Sequence, residues 1–100
     1  MKFSAAAMAD RAGDAERFLK QLANSKRLMV LCTLIDGERS VGELNEQIAI
    51  SQSALSQHLA RLREAGFVRT RREAQTIYYR LADARVKTVI RALYSVFCRP

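Results

Sequence analysis

Proline and glycine are scarce: a single proline closes the chain, and four glycines are spread over 100 residues. With so few chain breakers and 49% hydrophobic residues, the composition is that of a packed, largely helical globule and not of a disordered tail. Histidine occurs once and cysteine twice, at Cys32 and Cys98. Two cysteines so far apart match no zinc-site spacing, and a reducing cytosol argues against a permanent disulfide, so they are either core filler or redox-active. No apolar run approaches the roughly 20 residues of a spanning helix, and Ala5 to Ala7 are too short for a signal-peptide core. The expectation is a soluble, cytoplasmic protein with no membrane partner. Paired carboxylates, a nucleophile beside a base and a phosphate-cradling glycine loop are all missing, so an enzyme is disfavoured and no cofactor or resident metal is called for.

What the chain has in excess is positive charge. Seventeen Lys and Arg stand against ten Asp and Glu, a formal net charge of +7. At this size such a balance favours a polyanionic partner through counterion release, with nucleic acid ahead of an anionic membrane surface. One hundred residues make one domain with a modest core and leave no room for a deep catalytic pocket.

Residues 1 to 12 show no sustained period and read as a flexible arm ahead of a domain spanning 13 to 100. A first helix over roughly 13 to 24 carries Ala15, Phe18, Leu19 and Leu22. After the cap-type pair Asn24-Ser25, Lys26 to Asp36 places Leu28, Leu31, Cys32 and Ile35 at i, i+3, i+4 and i+7, and Gly37 stops the helix. On spacing alone Cys32 is a core position. Ser40 with Glu43 is a capping box opening a short helix through Ala49. Ser51 caps the next, Gln52 to Ala65, in which Leu55, Leu59 and Leu62 share one side while Ser53, Gln57 and Ala60 lie opposite and Ser56 flanks them. The period then changes to two. Phe67 to Arg72 and Thr76 to Leu81, joined by Glu73-Ala74-Gln75, predict a hairpin with a basic tip. Asp83 starts a last helix whose stripe Val86, Val89, Ile90, Leu93 and Phe97 is too apolar to face water on a lone domain.

Two short helices joined by a tight turn, followed by a basic hairpin, predict a mainly α winged helix-turn-helix: four helices, a two-stranded β-hairpin wing and a fifth helix. Gln52 and Gln57 suit base edges, and Ser53 and Ser56 are small enough to let the helix sit deep in a major groove. Arg69, Arg71, Arg72 and Gln75 of the wing suit phosphates or the adjacent minor groove, and Arg61 and Arg63 can reach the DNA backbone. His58 reads as a packing or phosphate-contact residue ahead of a metal ligand.

Several runs carry a resemblance. Leu22-Ala23-Asn24-Ser25-Lys26-Arg27-Leu28, Ser40-Val41-Gly42-Glu43-Leu44 and Ile50-Ser51-Gln52-Ser53-Ala54-Leu55-Ser56-Gln57-His58-Leu59 resemble the ArsR/SmtB repressors across nearly the whole chain. Arg71-Arg72-Glu73-Ala74-Gln75-Thr76-Ile77-Tyr78-Tyr79, with Cys98 at the end of the last helix, resembles their BigR/SqrR/HlyU-type subgroup, which responds to reactive sulfur and oxidants. The resemblance implies a homodimer built from the first and last helices, with Phe18, Leu19, Val86, Val89, Ile90, Leu93 and Phe97 as its interface. It also implies binding to an inverted-repeat operator and repression until an inducer lowers DNA affinity. Val41-Gly42-Glu43 lacks the family's metal-binding Cys-x-Cys and the last helix has no histidine, which disfavours metal sensing at those sites. By the same resemblance Cys32 and Cys98 match a sensing pair that persulfides or oxidants link through a disulfide or polysulfide. A metal-responsive repressor using Cys32, Cys98 and His58, an anti-silencing activator, and a protein-interaction module are the competing readings.

Overall fold

The computed structural model describes residues 1–99 and measures 49 × 33 × 21 Å along its principal axes. Its elements follow in the order α1 (Ala5–Leu22), α2 (Ser25–Leu34), β1 (Arg39–Ser40), α3 (Val41–Gln47), α4 (Gln52–Glu64), β2 (Val68–Glu73), β3 (Thr76–Leu81) and α5 (Ala84–Phe97). Five helices and a hairpin wing are therefore present as expected. No described helix is long and apolar enough to cross a membrane.

The first helix departs from expectation by starting at Ala5, inside the segment expected to be a flexible arm. Ser4 caps it by accepting from the Ala7 N–H at 3.2 Å, and Ala5, Ala6, Ala7, Met8 and Ala9 are strong helix formers. This half of α1 is exposed on every side, so its sequence carries no apolar period to signal a helix. The second departure is β1. Two residues are too few to show alternation, yet Arg39 pairs with Tyr79 and Ser40 with Tyr78, which makes the wing a three-stranded antiparallel sheet of order β1-β3-β2.

Asn24 caps α2 by accepting from the Lys26 and Arg27 N–H groups. The Ser40/Glu43 capping box forms in full around the start of α3, with bonds of 3.1 and 2.9 Å. The end of α4 is fixed by Gly66, which takes φ +78°. There the Phe67 N–H reaches the Leu62 carbonyl at 2.9 Å and the Gly66 N–H reaches Arg63 at 3.0 Å, the paired bonds of a Schellman stop. Leu62 and Phe67 are both buried, so the stop also delivers the wing into the core.

That core gathers Val30, Leu31 and Leu34 of α2, Leu44 of α3, Leu55, Leu59 and Leu62 of α4, and Val86 and Ile90 of α5. Two expectations are corrected here. On α2 the buried set is Arg27, Val30, Leu31 and Leu34, so the face is rotated by one residue and Cys32 is exposed. On α5 the stripe divides: Val86 and Ile90 are sealed in the protomer's own core and are not free to meet a second chain. Val89 and Leu93 are half-buried, while Tyr94, Val96 and Phe97 are exposed, Phe97 at 79%. Phe18 is likewise held within the protomer, its ring 5.0 Å from that of Phe67 with the Arg85 guanidinium over it. Leu19 remains 54% exposed.

Candidate nucleic-acid interface and thiol groove

Helix α4 buries Leu55, Leu59 and Leu62 and turns Gln52, Ser53, Ser56 and Gln57 to solvent. Ser51 caps it, accepting from the Ala54 N–H at 3.2 Å, and its hydroxyl lies 3.4 Å from that of Ser53. The turn ahead of α4 is clamped by Asn45, which donates to the Ile50 carbonyl at 2.9 Å. Sequence reasoning passed over Asn45, because a lone polar residue near a helix end carries no signal of its own. Arg61 and Arg63 are exposed at the far end of α4, and Arg69, Arg72 and Gln75 are exposed on the wing. Among the described residues none of these four arginines has a carboxylate partner. Their charge is available to phosphates.

Arg71 differs from its neighbours. Its guanidinium pairs with Glu38 and with Glu73, each at 2.6 Å, and lies over the Tyr78 ring at 4.6 Å. These bonds raise its own pKa further and hold the Glu38 carboxyl below the usual carboxylate range. The residue ties the β1 connection to the wing, so its charge is already largely neutralised.

His58 sits apart from the outward face, on the flank of α4 that meets α1 and α2. Arg27 of α2 donates to its Nδ1 at 3.3 Å, and the same guanidinium donates to the carbonyls of Gln21 at 2.7 Å and Lys20 at 3.2 Å. One buried arginine thus closes the end of α1 onto α4. The apolar spacing of α2 did not single out Arg27, which lies between a lysine and a leucine. Burial, then the charges of Arg27 and Arg61, hold the His58 pKa below 6.5. Folded His58 therefore binds its proton less readily than unfolded His58, and the unfolded state holds more protons between the two pKa values. Its contribution to stability is complete above about pH 6.5 and is lost as the pH falls through the folded value. Denaturant midpoints measured between about pH 7.5 and pH 5 should fall in the native chain and flatten in His58→Gln, whose amide oxygen still accepts from Arg27.

Cys32 of α2 and Cys98 at the end of α5 are both free and exposed. They line a single apolar groove of about 340 Å³ with Leu28, Met29, Leu93, Tyr94 and Phe97. The fold has brought two distant thiols to the same surface.

Residues 24–70, which hold the helix-turn-helix, match the bacterial regulatory proteins of the arsR family. Over 91 residues the chain is 50% identical to the biofilm growth-associated repressor of Xylella fastidiosa, covering 91% of this chain and 80% of that one. The chain belongs to the arsR family. Over 81 residues it is 53% identical to the transcriptional activator HlyU of Vibrio cholerae, covering 81% of this chain and 75% of the relative. The crystal structure of the transcriptional repressor BigR from Xylella fastidiosa superposes with a TM-score of 0.92 at 46% identity, over 98% of this chain and all of that one. These relatives make this arsR-family chain a winged helix-turn-helix transcriptional regulator and not an enzyme.

Proposed function

We propose that the chain is a homodimeric, dithiol-controlled repressor acting in the bacterial cytoplasm. Gln52, Ser53, Ser56 and Gln57 enter the major groove of an inverted-repeat operator, while Arg61, Arg63, Arg69, Arg72 and Gln75 hold its phosphates or the neighbouring minor groove. The apolar surface left by α1 and α5, Leu19 with Val89, Leu93 and Phe97, seats the second copy. Reactive sulfur species or an oxidant then link Cys32 to Cys98, and DNA is released.

One observation carries this reading: two free, exposed thiols, one on the helix that packs against α4 and one on the helix that carries the dimer surface, share one groove. A bond between them changes how α2 sits against α5 and so alters the spacing of the two recognition helices. Coupling of about 1–3 kcal/mol weakens DNA binding some 5- to 150-fold. Cys32→Ser and Cys98→Ser should each bind operator DNA as the native chain does and fail to let go when treated with a persulfide. Unchanged release in both variants overturns the proposal. The relative named as an activator motivates a second reading, relief of another protein's silencing at the same DNA. It is separated by whether the promoter falls or rises when the gene is deleted.

A further inference from the structure

Beyond Tyr78 the wing projects as two strands only, since β1 pairs no further out than Ser40 with Tyr78. A bare two-stranded hairpin is marginally stable in water, so its tip should be pliable. Two features oppose that. Glu73 pairs with Thr76, which leaves a turn of two residues, Ala74 and Gln75. Ala74 takes φ +56° and is, among the described residues, the only one other than glycine in the left-handed region. Glycine would sit there without strain and leave the turn free, whereas the alanine methyl narrows the backbone to fewer shapes and stores local strain. The second feature is Arg71. Its guanidinium bonds to Glu73 beside the turn and to Glu38 ahead of α3, each at 2.6 Å, and lies 4.6 Å over the Tyr78 ring. It fastens the tip to the segment that leads into the helix-turn-helix, and it neutralises Glu73, the one acid of the two wing strands.

We infer that Ala74 and Arg71 are positioning residues that hold the wing tip stiff, so that Gln75 discriminates A·T from G·C in the minor groove at one fixed distance from the bases met by α4. The inference rests on the DNA contacts proposed above and assigns specificity to one of them. In the minor groove A·T and T·A present the same acceptors, and a glutamine amide both donates and accepts, so hydrogen bonding alone separates base pairs poorly there. What differs is shape. A·T tracts narrow the groove, and guanine places an amino group on its floor. A tip of fixed form responds to that difference, whereas a pliable one adapts to either groove. A stiff tip also has less freedom to lose on binding.

The test uses the full chain, three variants and a pool of random-sequence duplexes. Amide relaxation in the DNA-free protein should give Gln75 an order parameter of about 0.85, falling below about 0.6 in Ala74→Gly. That variant should melt no lower than the native chain, because glycine relieves the strain. On the duplex that the native chain enriches from the pool, exchanging one A·T pair outside the bases met by α4 for G·C should weaken native binding about tenfold. Ala74→Gly should bind the enriched duplex about three- to tenfold more weakly and lose most of the flank discrimination while keeping that at the α4 positions. Gln75→Ala should lose the same flank discrimination. Arg71→Lys keeps the charge but has no planar fork to bridge two carboxylates, and it should fall between.

A Gln75 amide already mobile in the native chain overturns the inference, as does flank discrimination that survives intact in Ala74→Gly or Arg71→Lys. Enrichment at the α4 positions with none at the flank overturns it too, and leaves the α4 contacts standing. If no sequence is enriched at all, the operator reading itself fails and the specificity assigned to Gln75 fails with it.

Discussion

Raising the salt from about 50 to about 200 mM is expected to weaken the hold of this regulator on duplex operator DNA by about 10⁴-fold. Arg61, Arg63, Arg69 and Arg72 are exposed and, among the described residues, without carboxylate partners, so the proposed dimer would offer cations for about eight phosphates, each releasing condensed counterions. The logarithm of the binding constant should then fall with the logarithm of salt at a slope near −7, about −0.9 per phosphate. Arg72→Ala should shallow that slope by about one per protomer. Arg71→Ala should change it less, because Glu38 and Glu73 already neutralise that guanidinium. Fluorescence anisotropy at several salt concentrations measures both. A slope near zero with affinity retained would show that the arginines are only a solvated surface.

The residues that could be read in advance are those with a one-dimensional signature. Caps, the glycine stop and the two changes of period mark α3, α4 and the wing, because each rests on bonds between residues a few positions apart. What escaped depends on contacts between distant segments. Arg27 looks like a surface cation until α1 and α4 close around it. Glu38 gains meaning only when β1 pairs with β3 and brings it to Arg71. The case of α2 shows the limit most clearly. Leu28, Leu31, Cys32 and Ile35 share the same spacing as Arg27, Val30, Leu31 and Leu34, and a helix apolar on most sides does not choose between them. Packing against α4 and α5 chose the second set and left Cys32 in a groove. A residue that spacing alone assigned to the core thus became reachable by a reagent, and only the resemblance to sulfur-responsive regulators pointed that way from the sequence. On α5 the same ambiguity had the opposite result: Val86 and Ile90, assigned by resemblance to the dimer surface, belong to the core of one protomer.

Leu59 and Gln57, two residues apart on α4, should respond to truncation in opposite ways. Leu59 is fully buried among Leu31, Leu44, Leu55 and Leu62, where α2, α3 and α4 meet. Leu59→Ala removes its transfer energy and leaves a cavity that these helices can only partly fill, a loss of about 2–5 kcal/mol. In a domain whose whole stability is about 5–15 kcal/mol, that lowers the unfolding midpoint by about 10 °C or more. Operator binding falls with it, since the outward face of α4 is held in place by its inward one. Gln57 is exposed, so Gln57→Ala should shift stability by no more than about 0.5 kcal/mol while costing about 1–3 kcal/mol of discrimination at one base pair. Calorimetry and DNA titration on the two variants therefore separate the helix's structural face from its reading face. Equal loss of DNA affinity on every sequence in Gln57→Ala would move that side chain from base recognition to simple contact. An unchanged melting temperature in Leu59→Ala would contradict the packing that places α4.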